Sequence, residues 1–285
     1  MIAERIMWAG RRPVPGIPGA IACRVDELPE SLPESILYSP IGEIAGADLL
    51  LNAQGIGRFL VRGGDTVEYA VEAGADLVAV DRFLWGSARS ALIHQRGELP
   101  LHASVAVAPG GNFAIALCGP SGAGKSTTAA ALLRCGWTSL ADDLARIVCT
   151  KGEACVWPGQ PWMRLCIDAC DHLAVDPTGL PRDHGDREKV LVAVPTQDRA
   201  IPLRAIIALG GEKARPELES LRGGEAMAVL AQNIVGRRKM RALHSTRQQF
   251  EIIAPIAAGV YFFRLHGRRT SSATVLARRL HETFC

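Results

Sequence analysis

Residues 119–126 read Gly119-Pro120-Ser121-Gly122-Ala123-Gly124-Lys125-Ser126, which fits the pattern G-x-x-x-x-G-K-[ST]. Loops of this pattern wrap phosphate groups when they join a buried strand to a helix. Residues 113–118 form a short apolar run typical of a buried parallel strand, and residues 127–134 are rich in Ala and Leu and stop before Gly136. The sequence therefore predicts a nucleotide phosphate-binding loop. The alternative is a glycine-rich turn with an exposed lysine.

The residue types of this phosphate loop, residues 119–126, indicate how it would bind its ligand. The glycines let successive amides converge on phosphate oxygens, and a helix starting near Lys125 adds its positive end. Lys125 would reach the β- and γ-phosphates, and the Ser126 hydroxyl would bind Mg²⁺. ATP and Mg²⁺ are therefore the expected cofactors. The residues expected to contact the nucleotide are Gly119, Pro120, Ser121, Gly122, Ala123, Gly124, Lys125, Ser126 and Thr127.

The composition limits the class of protein. A chain of 285 residues with 48% hydrophobic content can bury a full core, as one large domain or two smaller ones. A net charge of +3 is too small for a dedicated nucleic-acid binder, and no apolar run has the length of a membrane span or the plan of a secretory signal. We therefore expect a cytoplasmic protein that binds neither nucleic acid nor membrane. Whether it forms a homo-oligomer stays open.

The eight cysteines are scattered and include no C-x-x-C pair, which favours buried, reduced thiols. Cys166, Cys170 and His172 are close enough in sequence to suggest a zinc site. We do not expect one, because a fourth ligand and the usual paired spacing are missing.

The chain divides into a β-rich amino-terminal unit, residues 1–95, and a phosphate-loop module, residues 96–285. The first unit is expected to contain short strands separated by glycine, the last of them at residues 77–80, followed by a helix over residues 82–95. The module is expected to be α/β with a mixed sheet, and to include a helix over residues 241–254. Residues 176–188 lack apolar periodicity, which indicates either a mobile loop over the site or a surface linker.

Two adjacent carboxylates, Asp142 and Asp143, follow the short strand predicted at residues 137–141, at the end where ligands gather in sheets of this kind. One would bind Mg²⁺, and the other would take the proton from an attacking hydroxyl. The predicted metal ligands are therefore Ser126, Asp142 and Asp143, and the sequence does not tell which aspartate has which role. Either aspartate could instead cap the segment that follows.

Three segments together carry a family resemblance: Leu101-His102-Ala103-Ser104, the phosphate loop, and Leu140-Ala141-Asp142-Asp143. This combination resembles the catalytic core of bacterial HPr kinase/phosphorylase and its HPr kinase-like relatives, over residues 97–149. The resemblance implies a compact phosphate-loop kinase fold in which one of the aspartates is the base and His102 is a site residue. A lone histidine on a strand is otherwise more often structural.

The glycine-rich signature that follows the aspartates in HPr kinase has no counterpart here, where residues 157–165 read WPGQPWMRL. The layout of the whole chain is more similar to the HPr kinase-like enzymes that tailor lasso peptides, which phosphorylate a carboxyl-terminal serine of the precursor peptide. This resemblance implies Arg164 and Lys189 as cationic site residues, able to neutralise charge on the migrating phosphoryl group.

The resulting expectation is an ATP- and magnesium-dependent serine kinase that acts on a precursor peptide or a small protein. The expected catalytic residues are His102, Lys125, Asp142, Asp143, Arg164 and Lys189. The alternatives are an HPr-type protein kinase, a small-molecule kinase, and a binding module that only senses nucleotide. The adjacent carboxylates argue against the sensor, because binding alone needs no base.

Overall fold

The computed structural model describes residues 10–171, 174–183, 189–211, 213, 215–267 and 272–285. The chain separates into two compact units, which we call unit 1 (Met1–Pro100 with Val235–Glu251) and unit 2 (Leu101–Ile234 with Ile252–Cys285). The chain leaves unit 1 shortly after the boundary expected at residues 95 and 96. Its return at residues 235–251 was not foreseen from the sequence. The division into domains itself stays a prediction.

Strands and helices follow one another along both units. The strands are β1 (Arg11–Pro13), β2 (Ile21–Arg24), β3 (Ile36–Ser39), β4 (Gly42–Ala45), β5 (Asp48–Ala53), β6 (Gly57–Arg62), β7 (Thr66–Val71), β8 (Leu99–Leu101), β9 (Ala103–Val107), β10 (Ala114–Cys118), β11 (Thr138–Ala141), β12 (Ala145–Thr150), β13 (Glu153–Trp157), β14 (Trp162–Cys166), β15 (Arg182–Asp183), β16 (Lys189–Ala193), β17 (Ile201–Leu209), β18 (Glu217–Leu221) and β19 (Tyr261–His266). The α-helices are α1 (Leu77–Phe83), α2 (Arg89–Gln95), α3 (Lys125–Leu133), α4 (Ile167–Asp171), α5 (Gly224–Asn233), α6 (Arg237–Leu243), α7 (Thr246–Gly259) and α8 (Ala273–Phe284), and a π-helical turn, Leu84–Ala88, joins α1 to α2.

Unit 1 is built on a sheet with the strand order β1-β2-β7-β6-β5-β4-β3. All neighbouring strands run antiparallel except β2 and β7. The central strands bury Leu49, Leu51 and Phe59 completely, and the Phe59 ring lies 4.6 Å from the ring of Phe83. The predicted β-rich amino-terminal unit is therefore confirmed.

The strand predicted at residues 77–80 is wrong, because this segment is the first turn of α1. The Asp76 side chain accepts a hydrogen bond from the Val78 amide at 2.9 Å and caps the helix. Val80, Leu84 and Ala88 then recur at helical spacing and are buried. The cap and this spacing outweigh the strand preference of two valines.

The helix predicted over residues 241–254 is broken at Ser245. The Ser245 amide donates to Gln248 Oε1 at 2.9 Å, and the Gln248 amide donates to Ser245 Oγ at 3.3 Å. This reciprocal pair is a capping box, which starts a new helix. The segment therefore ends α6 and begins α7.

Lys239, in α6, is a buried cation of unit 1 whose hydrogen bonds go to neutral oxygens. Its Nζ donates to the Ser87 carbonyl at 3.0 Å, to Ser87 Oγ at 2.9 Å and to Ser90 Oγ at 3.0 Å. The side chain is 7% exposed, and burial lowers the pKa of Lys239 from the ordinary 10.5 to about 8. An ammonium in this position costs free energy that a neutral amine does not.

This shift predicts a stability that rises with pH. Between pH 8 and 10.5 the unfolded chain binds more protons at Lys239 than the folded chain, so the free energy of unfolding increases across that interval. We expect Lys239→Met to remove a rise on the order of 2 kcal/mol between pH 7.5 and 10, measured by urea unfolding. The difference between the two chains isolates this lysine from other titrating groups. Equal pH dependence in both chains would contradict the prediction.

The main sheet of unit 2 places the phosphate-loop strand at its centre. β10 pairs antiparallel with β9 and parallel with β17, which in turn pairs parallel with β19. All five residues of β10 are buried, and α3 packs on α8. The predicted α/β class with a mixed sheet is therefore confirmed. Among the helices that the structure describes, none is both long enough and apolar enough to cross a bilayer.

A second, three-stranded sheet of unit 2 has the order β14-β16-β15. The segment 176–188, predicted to be a loop, contributes β15 to this sheet, so it is not a loop throughout, and its last residues, 184–188, lie outside the described chain. Residues 182 and 183 form a strand because they pair with β16, a contact that the polar sequence of the segment did not indicate. The cysteines are free thiols, and His172, weighed for a zinc site, lies outside the described residues.

Candidate active site

The phosphate loop leaves β10 at Gly119 and enters α3 at Lys125. Gly122 and Gly124 have φ angles of +82° and +85°, which favour glycine. At Gly119 a Cβ would lie 3.0 Å from the Leu209 carbonyl oxygen, so a side chain there would press on the neighbouring strand. The first amides of α3 have no partner within the helix, and such amides are donors for an anion.

Lys125 is folded back onto its own loop. Its Nζ donates to the carbonyl oxygens of Gly119 at 3.0 Å and Pro120 at 3.1 Å, and its side chain is 7% exposed. Burial lowers the pKa of Lys125, while the charges of Asp143 and Asp142 act in the opposite direction. A phosphate oxygen would be a stronger acceptor than either carbonyl, because it carries charge.

Asp142 connects the phosphate loop to the end of β11. Its Oδ1 accepts hydrogen bonds from Ser104 Oγ at 2.6 Å and from Ser126 Oγ at 2.9 Å. Its Oδ2 accepts a hydrogen bond from the Arg164 amide at 2.8 Å. Burial raises the pKa of Asp142, although these three hydrogen bonds favour the charged form.

Asp143 turns to a different set of partners. Its φ of +70° is in the left-handed region, which is uncommon for residues other than glycine, and it turns the chain two residues after the end of β11. Its Oδ2 lies 2.9 Å from the Arg164 guanidinium, and its Oδ1 lies 3.3 Å from His102 Nε2. Burial alone would raise the pKa of Asp143, but the hydrogen bond from His102 and the charges of Arg164, His102 and Lys189 hold it well below its ordinary value.

The small sheet supplies the cationic side of the site. Arg164 lies in β14, where its guanidinium also approaches Asp183 of β15, with Nε 3.7 Å from the carboxylate oxygen. Lys189 begins β16 and stands opposite Cys166 and Asp183 in register. Its charge acts on both Asp143 and Lys125, so its side chain lies near both the acidic pair and the phosphate loop.

His102 lies between β8 and β9, and its side chain is 37% exposed. Its amide donates to the carbonyl oxygen of Asn233, the last residue of α5, at 2.7 Å. The Asn233 side chain reaches the phosphate loop, since its Oδ1 accepts the Gly119 amide at 3.1 Å. The main chain of His102 and the start of the phosphate loop are thus attached to one residue.

The structure divides the predicted site residues into separate groups of contacts. His102, Asp143 and Arg164 are in direct contact, Asp142 and Ser126 form a second contact, and the nine predicted nucleotide residues are the continuous loop. The third predicted metal ligand, Asp143, does not join Ser126 and Asp142, because His102 and Arg164 hold it. Within the described parts of the chain, no three His, Cys, Asp or Glu side chains are grouped to hold a metal ion.

Three residues of this constellation were not assigned a role from the sequence: Ser104, Asp183 and Asn233. Ser104 lies in the quoted segment 101–104, and its hydroxyl donates to Asp142. Asp183 lies in the polar segment 176–188. No local pattern points to Asn233, because it meets Gly119 only through the tertiary fold.

Comparison with known proteins found only weak similarity to solved structures. No family profile and no curated protein matches this sequence. Among solved structures, the chain is similar to the HPr(Ser) kinase/phosphatase from Coxiella burnetii, with 11% sequence identity, 65% of this chain and 89% of that chain covered, and a TM-score of 0.33. At these values the similarity does not bear on activity or on individual residues.

Proposed function

We propose that this chain is an ATP- and magnesium-dependent kinase that transfers the γ-phosphoryl group to a serine hydroxyl of a peptide. The observation that carries the proposal is the separation of the two adjacent carboxylates. Asp142 is joined to the phosphate loop through Ser126, and Asp143 is directed to His102 and Arg164. A kinase needs one carboxylate for the metal and another for the acceptor proton.

The Asp142 side fits a magnesium ion. Asp142 Oδ1 and Ser126 Oγ are hard oxygen donors 2.9 Å apart, at the point where the phosphate loop becomes α3. Mg²⁺ keeps several waters and needs only one or two protein oxygens beside the phosphates. When bound, the ion would neutralise charge on the phosphate oxygens. Ser104 and the Arg164 amide hold the Asp142 carboxylate in place for it.

Lys125 would serve the donor side. Its ammonium donates to the Gly119 and Pro120 carbonyls of the loop, and charged phosphate oxygens would be stronger acceptors than these carbonyls. Because burial lowers the pKa of Lys125, a negatively charged partner would raise that pKa again. The loop amides and the start of α3 would hold the remaining oxygens.

Asp143 would serve the acceptor side as the base. Its low pKa keeps it deprotonated at neutral pH and makes it a weak base toward a free hydroxyl, so proton transfer would accompany bond formation. The serine oxygen forms its bond to the γ-phosphorus as the bond to the ADP oxygen breaks, and the proton passes to Asp143. His102 and Arg164 orient the carboxylate, and Arg164 and Lys189 offset negative charge as it develops.

The acceptor that the proposal names is the carboxyl-terminal serine of a lasso precursor peptide. Its support is the resemblance of the whole chain's layout to the kinases that tailor such peptides. That layout comprises the amino-terminal β unit, the helix from Phe83 onward, and the segments at residues 100–104 and 161–165. The missing HPr kinase signature after the aspartates speaks against HPr as the acceptor.

We expect intact-mass analysis to show one added phosphoryl group on a lasso precursor peptide that ends in serine. The same peptide ending in alanine, and HPr, should remain unmodified after incubation with the chain, ATP and magnesium. A reaction without magnesium and one with the Lys125→Ala variant are the controls. Modification of HPr in preference to the peptide would contradict the proposed acceptor. Transfer to no acceptor would contradict the kinase itself.

A further inference from the structure

The carboxyl end of α5 meets both halves of the candidate site through one residue, Asn233. Its Oδ1 accepts the amide of Gly119, the first residue of the phosphate loop, at 3.1 Å. Its main-chain carbonyl accepts the amide of His102 at 2.7 Å. His102 in turn contacts Asp143. The residue that anchors the nucleotide loop is therefore also the residue that anchors the main chain of His102, whose imidazole lies beside the candidate base.

The hydrogen bonds of Asn233 to Gly119 and to His102 are coupled, because one residue makes both. The Asn233 Nδ2 donates to the Val229 carbonyl of the same helix at 2.8 Å, so the side chain is held at both of its polar ends, and the residue is 9% exposed. The Asn233 carbonyl lies at the end of α5, where no following helical turn supplies a partner for it, and the His102 amide fills that role. An antiparallel bridge between Leu101 and Ile234 continues the same pairing by one residue on each side.

From this arrangement we infer that Asn233 is a positioning residue, which sets the place of the phosphate loop and of His102 together. The inference rests on the proposed function for its meaning in catalysis, but the arrangement it describes can be tested without any transfer. Asparagine suits the position because the amide both accepts from Gly119 and donates to Val229. Alanine would leave the Gly119 amide without this acceptor in a buried place, while the Val229 carbonyl would keep its bond within the helix.

The test compares Asn233→Ala with Gln232→Ala, an exposed position on the same helical turn. The first measurement is the affinity for a fluorescent ADP analogue with magnesium. We expect it to fall about tenfold or more in Asn233→Ala, because a hydrogen-bonded anchor of the loop is lost, and to stay unchanged in Gln232→Ala. The second measurement is the position of the His102 ring resonances in NMR spectra. We expect these to move in Asn233→Ala only, because the end of α5, with the carbonyl that accepts the His102 amide, loses its side-chain bond to Gly119. A His102→Gln variant assigns the resonances.

The third measurement is the rate of transfer to the peptide at saturating ATP. We expect this rate to fall about 10- to 100-fold in Asn233→Ala, because displacement of His102 also disturbs Asp143, the proposed base. Weaker nucleotide binding with unchanged His102 resonances would overturn the inference, because Asn233 would then serve the loop alone. A lower unfolding temperature with both site measurements unchanged would reduce Asn233 to a structural residue and overturn it too. Failure of the unchanged chain to transfer phosphoryl would instead count against the proposed function, while the first two measurements would still decide this inference.

Discussion

The Asp143→Asn variant is expected to bind magnesium and nucleotide as the unchanged chain does, and to phosphorylate the peptide about a thousandfold more slowly. Asparagine keeps the size of the side chain but cannot take the hydroxyl proton, and a positioned base contributes about 10²- to 10⁴-fold to a rate. The measurement is a single-turnover rate at saturating ATP, beside the affinity for a fluorescent ADP analogue. The loss should therefore appear in the chemical step and not in binding.

Asp183→Asn is the matched control for this prediction. It makes the same substitution at the other carboxylate that Arg164 approaches, so it tests whether a released guanidinium alone slows the reaction. We expect its rate to fall less than about tenfold, because Asp183 is 3.7 Å from the Arg164 guanidinium while Asp143 is 2.9 Å from it, so the shorter contact still holds Arg164 at the site. A rate for Asp143→Asn within about tenfold of the unchanged chain would show that Asp143 is not the base. If no variant or parent chain transferred phosphoryl, and nucleotide binding was kept in Asp142→Asn and Asp143→Asn but lost in Lys125→Ala, the nucleotide-sensing alternative would be favoured.

The Lys125→Ala variant is expected to lose about 100-fold in affinity for magnesium-bound ATP and to show no measurable transfer. The ammonium is the cation nearest the loop carbonyls, and a hydrogen bond between charged groups contributes about 1.5 to 3 kcal/mol. Transition-state charge on the transferring group adds to the effect on the rate. Affinity is measured by titration calorimetry, and transfer by intact mass.

Lys151→Ala provides the comparison for Lys125. Lys151 is an exposed lysine in the turn between β12 and β13, so the variant removes one positive charge from unit 2 without touching the phosphate loop. Its affinity and rate should match those of the unchanged chain. Transfer by Lys125→Ala at a comparable rate would contradict a phosphate-binding role for residues 119–126. It would favour the alternative that these residues are a glycine-rich turn without that role.

Local sequence patterns were enough to predict the phosphate loop and the class of fold. The apolar run of β10, the glycines of the loop and the alanine-rich α3 are contiguous, so the sequence alone indicated a phosphate loop in an α/β unit with a mixed sheet. The strand wrongly assigned to residues 77–80 shows the limit of such patterns, because one capping side chain, Asp76, decided between two structures that the composition allowed. The split of the helix predicted at residues 241–254 has the same cause, at Ser245.

What the sequence determined by itself is the chemistry available at each position: a loop suited to phosphates, a lysine and a hydroxyl in it, and two carboxylates at a strand end. The tertiary structure decided how those groups are divided. Adjacent residues on a regular strand face opposite ways, and here the left-handed backbone of Asp143 and donors from residues 102, 104, 126 and 164 give each carboxylate its own partners. Each donor lies at least 16 residues along the chain from the aspartate that it contacts, and Asn233 lies 114 residues from Gly119, so only folding brings them within hydrogen-bonding distance.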